Sequence, residues 1–255
     1  MIKVGVVGAA GKMGSEVCKA VVADSGTELA AAVDPFSPGA LVHGVVVESD
    51  LKALSGAGVE VAVDFTHPNA VFENALHCLE AGIHVVIGTT GLGEDEIGTI
   101  EKAAADSDAN AFIAPNFAIG AVLMMQFAKE AARHFERAEI IELHHDQKAD
   151  APSGTAIRTA ELMEAERGEW PERPDSVESI NAVRGGLVGG VRIHSVRLPG
   201  LVAHQEVVLG TDGQTLTIRH DSTDRSSFMP GVILAIKEVA QRPGLTVGLE
   251  SLLGF

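Results

Sequence analysis

The chain has 255 residues, of which 46% are hydrophobic and 21% charged, an ordinary globular balance with room for one large or two modest domains. Acidic residues outnumber Lys plus Arg by 35 to 19, a formal net charge of −16. That excludes a nucleic-acid binder working by phosphate neutralisation and a protein held on an anionic membrane surface. Cys18 and Cys78 lie far apart and outside any C-x-x-C pair, so they read as two buried thiols. With no signal-peptide pattern and no apolar run of about 18 residues, the cytoplasm is the expected compartment.

Ile2–Val7 is a short apolar run ending at a cluster of glycines, which predicts a buried strand. Lys12–Ala23 predicts a helix with Met13, Val17, Ala20 and Val21 on one face. Strands follow at 29–33 and 59–65, a helix at 69–81, a strand at 84–88, a helix at 94–105 and a strand at 111–114. Strands alternating with helices imply right-handed crossovers and a parallel sheet. The pattern changes after Asn116. A long helix is expected over 119–135, a strand over 138–145 and a helix over 155–167. A loop rich in Pro, Gly and charge spans 170–190. A strand at 191–198 and a hairpin of 204–209 with 215–220, turned by Asp212-Gly213, complete an antiparallel region. A final helix at 226–241 is placed back on the first domain. The expected fold is α/β, a Rossmann-type doubly wound parallel sheet plus a smaller α+β domain with a mostly antiparallel, mixed sheet. The domains are residues 1–116 with 226–255, and residues 117–225.

Gly8, Gly11 and Gly14 form G-A-A-G-K-M-G between the first strand and first helix. Glycines permit a tight turn and close approach of a pyrophosphate, and the helix start offers unpaired N–H groups and the positive end of its dipole. A P-loop is excluded, since Val6 stands where its first glycine belongs and Met13 where Ser or Thr must follow the lysine. A tight turn without a ligand is the plainer alternative. Asp34 ends the second strand about 20 residues on, where a carboxylate holds the adenosine ribose hydroxyls; otherwise it is a turn residue before Pro35. A carboxylate there repels a 2′-phosphate, so NADH is the expected cofactor. NADPH is a second donor, aided by Lys12. Gly88-Thr89-Thr90 and Ala114-Pro115-Asn116-Phe117 also end strands and are expected to line the cofactor crevice.

The stretch from Glu142 to Thr155, E-L-H-H-D-Q-K-A-D-A-P-S-G-T, leaves a strand, crosses a loop and enters a helix. His144 can donate a proton near neutral pH, and Lys148 supplies positive charge or a second proton. Ser153, Gly154 and Thr155 can offer N–H groups and hydroxyls to a carboxylate, or Ser153 can simply cap the helix. Adjacent histidines raise zinc, but no third ligand stands at metal spacing. There is no G-x-S-x-G elbow for a serine hydrolase.

This stretch, together with G-A-A-G-K-M-G, D-F-T-H-P, G-T-T-G, A-P-N-F, V-A-H-Q-E-V and D-R-S-S-F-M-P-G-V, resembles the 4-hydroxy-tetrahydrodipicolinate reductase family, formerly called dihydrodipicolinate reductase. The resemblance covers essentially the whole chain. It implies an NAD(P)H-dependent reductase of lysine and diaminopimelate biosynthesis acting on a small cyclic dicarboxylate, and a homotetramer built through the second domain's sheet. It further implies His144 and Lys148 as the proton-donating pair, and His145 with Ser153, Gly154 and Thr155 as substrate-binding. Gly8, Ala9, Ala10, Gly11, Lys12, Met13, Asp34, Gly88, Thr89, Thr90 and Ala114 to Phe117 would bind the dinucleotide. Some members carry a basic residue at the position of Ala10, and its absence here weakens an NADPH preference. Cofactor and substrate are expected on different domains that close over the reaction, with hinges near Asn116 and Arg225; Arg225 reaches the substrate or forms a structural ion pair. A short-chain dehydrogenase is excluded because the chain has no tyrosine. A zinc alcohol dehydrogenase needs more than two cysteines. The remaining rivals are another two-domain amino-acid dehydrogenase, which has no need of H-H-x-x-K followed by S-G-T, and a non-catalytic dinucleotide sensor.

Overall fold

A computed structural model of the chain describes residues 1–171 and 177–255. In chain order the elements are β1 (Ile2–Val7), α1 (Lys12–Ala23), β2 (Thr27–Val33), β3 (Leu41–Val42), β4 (Val45–Glu48), α2 (Lys52–Gly56), β5 (Val61–Asp64), α3 (Pro68–Glu80), β6 (His84–Ile87), α4 (Glu94–Ala105) and β7 (Ala111–Ile113). They continue with α5 (Ile119–Ala132), β8 (Arg137–His144), α6 (Gly154–Arg167), β9 (Gly186–Val188), β10 (Val191–Arg197), β11 (Ala203–Thr211), β12 (Gln214–Ser222), α7 (Met229–Glu238) and β13 (Leu245–Val247). Two compact units result, Met1–Phe117 with Phe228–Phe255, and Ala118–Ser227.

The first unit is built on an eight-stranded sheet in the order β13-β7-β6-β5-β1-β2-β4-β3. Every pair is parallel except β3–β4. Its central strands are apolar on both faces, as a parallel sheet covered by helices requires. Val4, Val6, Val63, Val85, Ile87 and Phe112 are all fully buried. β1 has β2 on one side and β5 on the other, so the chain winds away from it in both directions. This is the doubly wound arrangement expected, and its ligand crevice opens at the carboxyl ends of β1 and β5.

The second unit holds a five-stranded sheet, β12-β11-β8-β10-β9, in which only β8 and β10 run parallel. α5 and α6 pack on each other and on this sheet. Alternation along β8 turns Ala138, Ile140 and Glu142 inward, matched by Gln205, Val207 and Leu209 of β11 and Ile193 of β10. Burying a side chain such as Ile140 or Met163 contributes about 1.5–3 kcal/mol. A carboxylate in this row is the exception that marks the site.

Several elements lie outside the expectations. The β3–β4 hairpin and α2 fill a stretch read as connection; its two strands are mostly exposed and lack the buried run that marks β5 and β6. β13 joins the sheet edge beside β7. The helix expected over 226–241 is three pieces, with 3-10 turns Arg225–Phe228 and Val239–Gln241 flanking α7. The 170–190 loop contains β9, and its residues 172–176 lie outside the described set. No helix among the described residues is long and apolar enough to cross a membrane.

Candidate active site

The turn from β1 into α1 is held mostly by backbone hydrogen bonds, two of them to the end of β2. Gly8 and Ala9 N–H groups both donate to Val33 O (2.8 and 3.2 Å), and Gly11 N–H donates to Gly8 O (3.0 Å). Ala10 N–H donates to Asp34 Oδ2 (3.2 Å). The donors left without an acceptor among the described residues are therefore those of Lys12, Met13 and Gly14, the first turn of α1, where Gly11 supplies no side-chain cap. Two glycines make this geometry possible. Gly8 has φ +80°, and a Cβ on Gly14 would stand 2.0 Å from Gly8 O. A bare, tightly wound loop opening onto free helix N–H groups fits the pyrophosphate of a dinucleotide.

Asp34 is buried and accepts a second N–H from Phe36 (3.0 Å at Oδ1), so it braces the loop as well as facing the crevice. A cleft of about 640 Å³ opens beside it, lined by Gly8, Gly11, Asp34, Phe36, Leu51 and Thr66, among others. The cleft also reaches Lys52, His67 and Asn74. Of these, His67 belongs to the D-F-T-H-P motif, and its ring Nδ1 caps α3 by accepting Asn69 N–H (3.3 Å). Gly88–Thr90 and Ala114–Phe117 are not part of the lining. Thr89 instead bridges the ends of β5 and β6. Its hydroxyl donates to Asp64 Oδ1 (2.6 Å) and accepts Thr66 N–H (2.7 Å). Phe117 is buried with its ring centroid 5.9 Å from that of Phe65.

In the second unit, residues two apart on a strand share a face, and β8 thereby sets Glu142 beside His144. Parallel pairing with β10 places Ser195 next to Glu142 and Arg197 next to His144. Glu142 is fully buried. Its Oε2 lies 2.5 Å from His144 Nδ1 and accepts from Arg197 Nη1 at 2.8 Å. Its Oε1 accepts from Arg197 Nη2 (2.8 Å) and from Ser153 N–H (3.2 Å). Burial alone would raise this carboxyl; hydrogen bonds from His144, Arg197 and Ser195 overcome it and bring the pKa down to about 2.

The loop after β8 turns tightly, with Lys148 N–H donating to His145 O (3.2 Å). Lys148 Nζ donates to both oxygens of Asp150 at 2.8 Å, and this contact depresses the Asp150 carboxyl. Arg197 Nη2 also reaches Asp150 O (2.7 Å). The Ala151–Pro152 peptide is cis. Ser153 then caps α6, its hydroxyl accepting Ala156 N–H (3.2 Å). Gly154 is exposed, and its N–H has no acceptor among the described residues. His145 is exposed.

The segment thus ties His144 and Ser153 to one buried charge, while Lys148 pairs with Asp150 and Gly154 follows the cap. Arg197 was missed: it lies 55 residues from Glu142, and only strand pairing joins them. Arg225 is exposed in a 3-10 turn with no ion-pair partner among the described residues. Among those residues no group of three His, Cys, Asp or Glu side chains is placed to hold a metal ion.

Residues 2–117 match the family model described as dihydrodipicolinate reductase, N-terminus, and residues 120–253 the model for its C-terminus. The 4-hydroxy-tetrahydrodipicolinate reductase of Syntrophomonas wolfei is 54% identical over 97% of each chain, and that of Mycobacterium sp. strain KMS is 50% identical over 99% of each. The solved structure of dipicolinate-bound dihydrodipicolinate reductase from Paenisporosarcina sp. TG-14 is similar with a TM-score of 0.90 and 41% identity, covering 98% of this chain and 99% of that one. An amine dehydrogenase from Mycobacterium smegmatis, 15% identical with a TM-score of 0.67, shares the fold. The chain belongs to the dihydrodipicolinate reductase family and is, like its members, a nicotinamide-dinucleotide-dependent oxidoreductase.

Proposed function

We propose that this enzyme reduces (2S,4S)-4-hydroxy-2,3,4,5-tetrahydrodipicolinate to 2,3,4,5-tetrahydrodipicolinate in lysine and diaminopimelate biosynthesis. One NAD(P)H and one proton are consumed, and one water is released. The observation that carries this reading is the charge cluster at the end of β8. A histidine backed by a buried carboxylate, a lysine and a capped helix start occur within a dozen residues of a chain in this family.

The dinucleotide supplies a hydride to an electron-poor carbon of the substrate ring. This chain's residues then meet the electron density that accumulates. His144 Nδ1 faces Glu142, which leaves Nε2 to deliver a proton to the substrate. Lys148 holds positive charge at the same end of the loop, and a substrate carboxylate is the natural competitor for the ammonium that Asp150 now holds. His145, the Gly154 N–H and Thr155 bind the substrate carboxylates. Ser153 keeps the helix start in shape by capping it. In the first unit the Lys12 to Gly14 N–H groups take the pyrophosphate, and the strand ends at Gly88–Thr90 and Ala114–Phe117, outside the cleft beside Asp34, are assigned to the nicotinamide end. The buried Asp34 takes the adenosine ribose hydroxyls and favours NADH, with NADPH as a second donor. Assembly as a cytoplasmic homotetramer through the β8–β12 sheet belongs to the same reading and is checked by light scattering in solution.

The decisive assay follows oxidation of NADH and NADPH when the enzyme is fed with the product of the upstream synthase. His144→Ala and Lys148→Ala should each lower turnover about 10²–10⁴-fold, the usual worth of a positioned acid, with NADH affinity nearly unchanged. Wild-type turnover in both variants would remove the pair from the mechanism.

A further inference from the structure

The geometry points to Glu142 and Arg197 as a positioning pair that fixes which nitrogen of His144 carries its proton and ties that ring to the start of α6. This rests on the reading of His144 as the proton donor. An ionised carboxylate accepts hydrogen bonds and cannot donate them. The nitrogen 2.5 Å from Glu142 Oε2 must therefore carry a hydrogen, and that nitrogen is Nδ1. The neutral ring keeps its lone pair on Nε2, and the protonated ring presents Nε2–H away from the carboxylate.

Arg197 makes the hold rigid. Its two terminal nitrogens each take a different oxygen of Glu142, both at 2.8 Å, a fork that fixes the plane of the carboxylate. The same carboxylate accepts Ser153 N–H, one residue before the exposed Gly154. A single buried charge thus sets the distance between the proposed proton donor and the proposed anion site.

Stability is a poor reason for such a pair. Taking two charges out of water costs more than their attraction commonly returns, and apolar replacement of both partners is often neutral or stabilising. Removing one partner alone strands the other. The informative variant is therefore the double replacement Glu142→Met with Arg197→Met, made in the full chain, with the single Glu142→Gln beside it.

The expected result is a double variant that melts close to wild type and binds NADH as wild type does. Its kcat should fall about 10–100-fold, the scale of loss when the carboxylate behind a metal-bound histidine is removed. In 15N NMR spectra its neutral His144 should lose the single Nδ1–H form and populate both tautomers. Glu142→Gln retains an acceptor oxygen and should lose less turnover, with substrate KM nearly unchanged. A folded double variant with wild-type kcat overturns the proposal. If the double variant does not fold, Glu142→Gln decides, and wild-type kcat in that protein overturns it equally. His144→Ala keeps the two readings apart: full turnover there defeats the proton-donor assignment, while the tautomer spectrum still reports whether Glu142 sets the ring.

Discussion

The chain makes two turns from a strand into a helix that matter here, and they are built in opposite ways. The β1–α1 turn is bare. Its helix has no side-chain cap, and its form comes from glycines and backbone hydrogen bonds, with the Asp34 carboxylate as the one side chain that braces it. The β8–α6 turn is wired by side chains: a buried carboxylate, a bidentate arginine, a serine cap and a lysine–aspartate contact. The first is defined by side chains that are missing, the second by charges that are present. Added volume should therefore damage the first and lost charge the second.

Acid gives the largest separation. The folded-state pKa of Glu142, about 2, lies below its ordinary value of 4.5. Its contribution is complete above that ordinary value and disappears as the pH falls from 4.5 toward 2. The loss is on the order of 3 kcal/mol. Urea melts between pH 7 and pH 2 should show this acid limb in wild type and a flatter one in the Glu142→Met, Arg197→Met protein; equal limbs would mean that the buried carboxylate is not their source.

Volume tests the bare turn. Gly14→Ala places a methyl group against Gly8 O, and overpacking of this kind costs about 1–3 kcal/mol. Taken from the binding-competent loop, that is a roughly 10–100-fold loss of NADH affinity. Fluorescence titration measures it, and unchanged affinity would show that the first turn of α1 does not meet the dinucleotide.

The smallest expected effect falls on cofactor choice. Asp34→Asn removes a charge while keeping an acceptor for the Ala10 or Phe36 N–H. The ratio of kcat/KM for NADPH over NADH should rise about 10-fold, near 1.4 kcal/mol. A constant ratio would leave Asp34 with a bracing role only.

The contrast also explains what could be read from residues alone. The bare turn was legible in its elements, because strand, glycines, helix and Asp34 follow one another locally, but not in the hydrogen bond by which Asp34 braces Ala10. The wired turn was legible in its members but not in its wiring. His144, Lys148 and Ser153 stood out by type, and only the serine's capping role follows from its place before a helix. Nothing in the local sequence reveals that Glu142 is fully buried, or that Arg197 is the residue that meets it, since both facts come from the order of strands in the sheet. Short elements escaped for a different reason. Leu41–Val42, Val45–Glu48 and Leu245–Val247 are short and mostly not buried, and pairing at the outer sides of the sheet makes them strands. Thr89 sits at a strand end as expected, yet its hydroxyl joins Asp64 and Thr66, a partnership that depends on the neighbouring strand.

The pairing of β8 with β10 sets a rule for how this protein can change over time. Length added outside the strands is cheap, about 0.6 kcal/mol for each doubling of a flexible connection. One residue inserted within Val191–Arg197 is another matter, because it reverses which side of the sheet the guanidinium occupies. Descendants of this chain are free to drift in spacing between Glu142 and Arg197, but the odd-or-even count along that one strand is inherited intact.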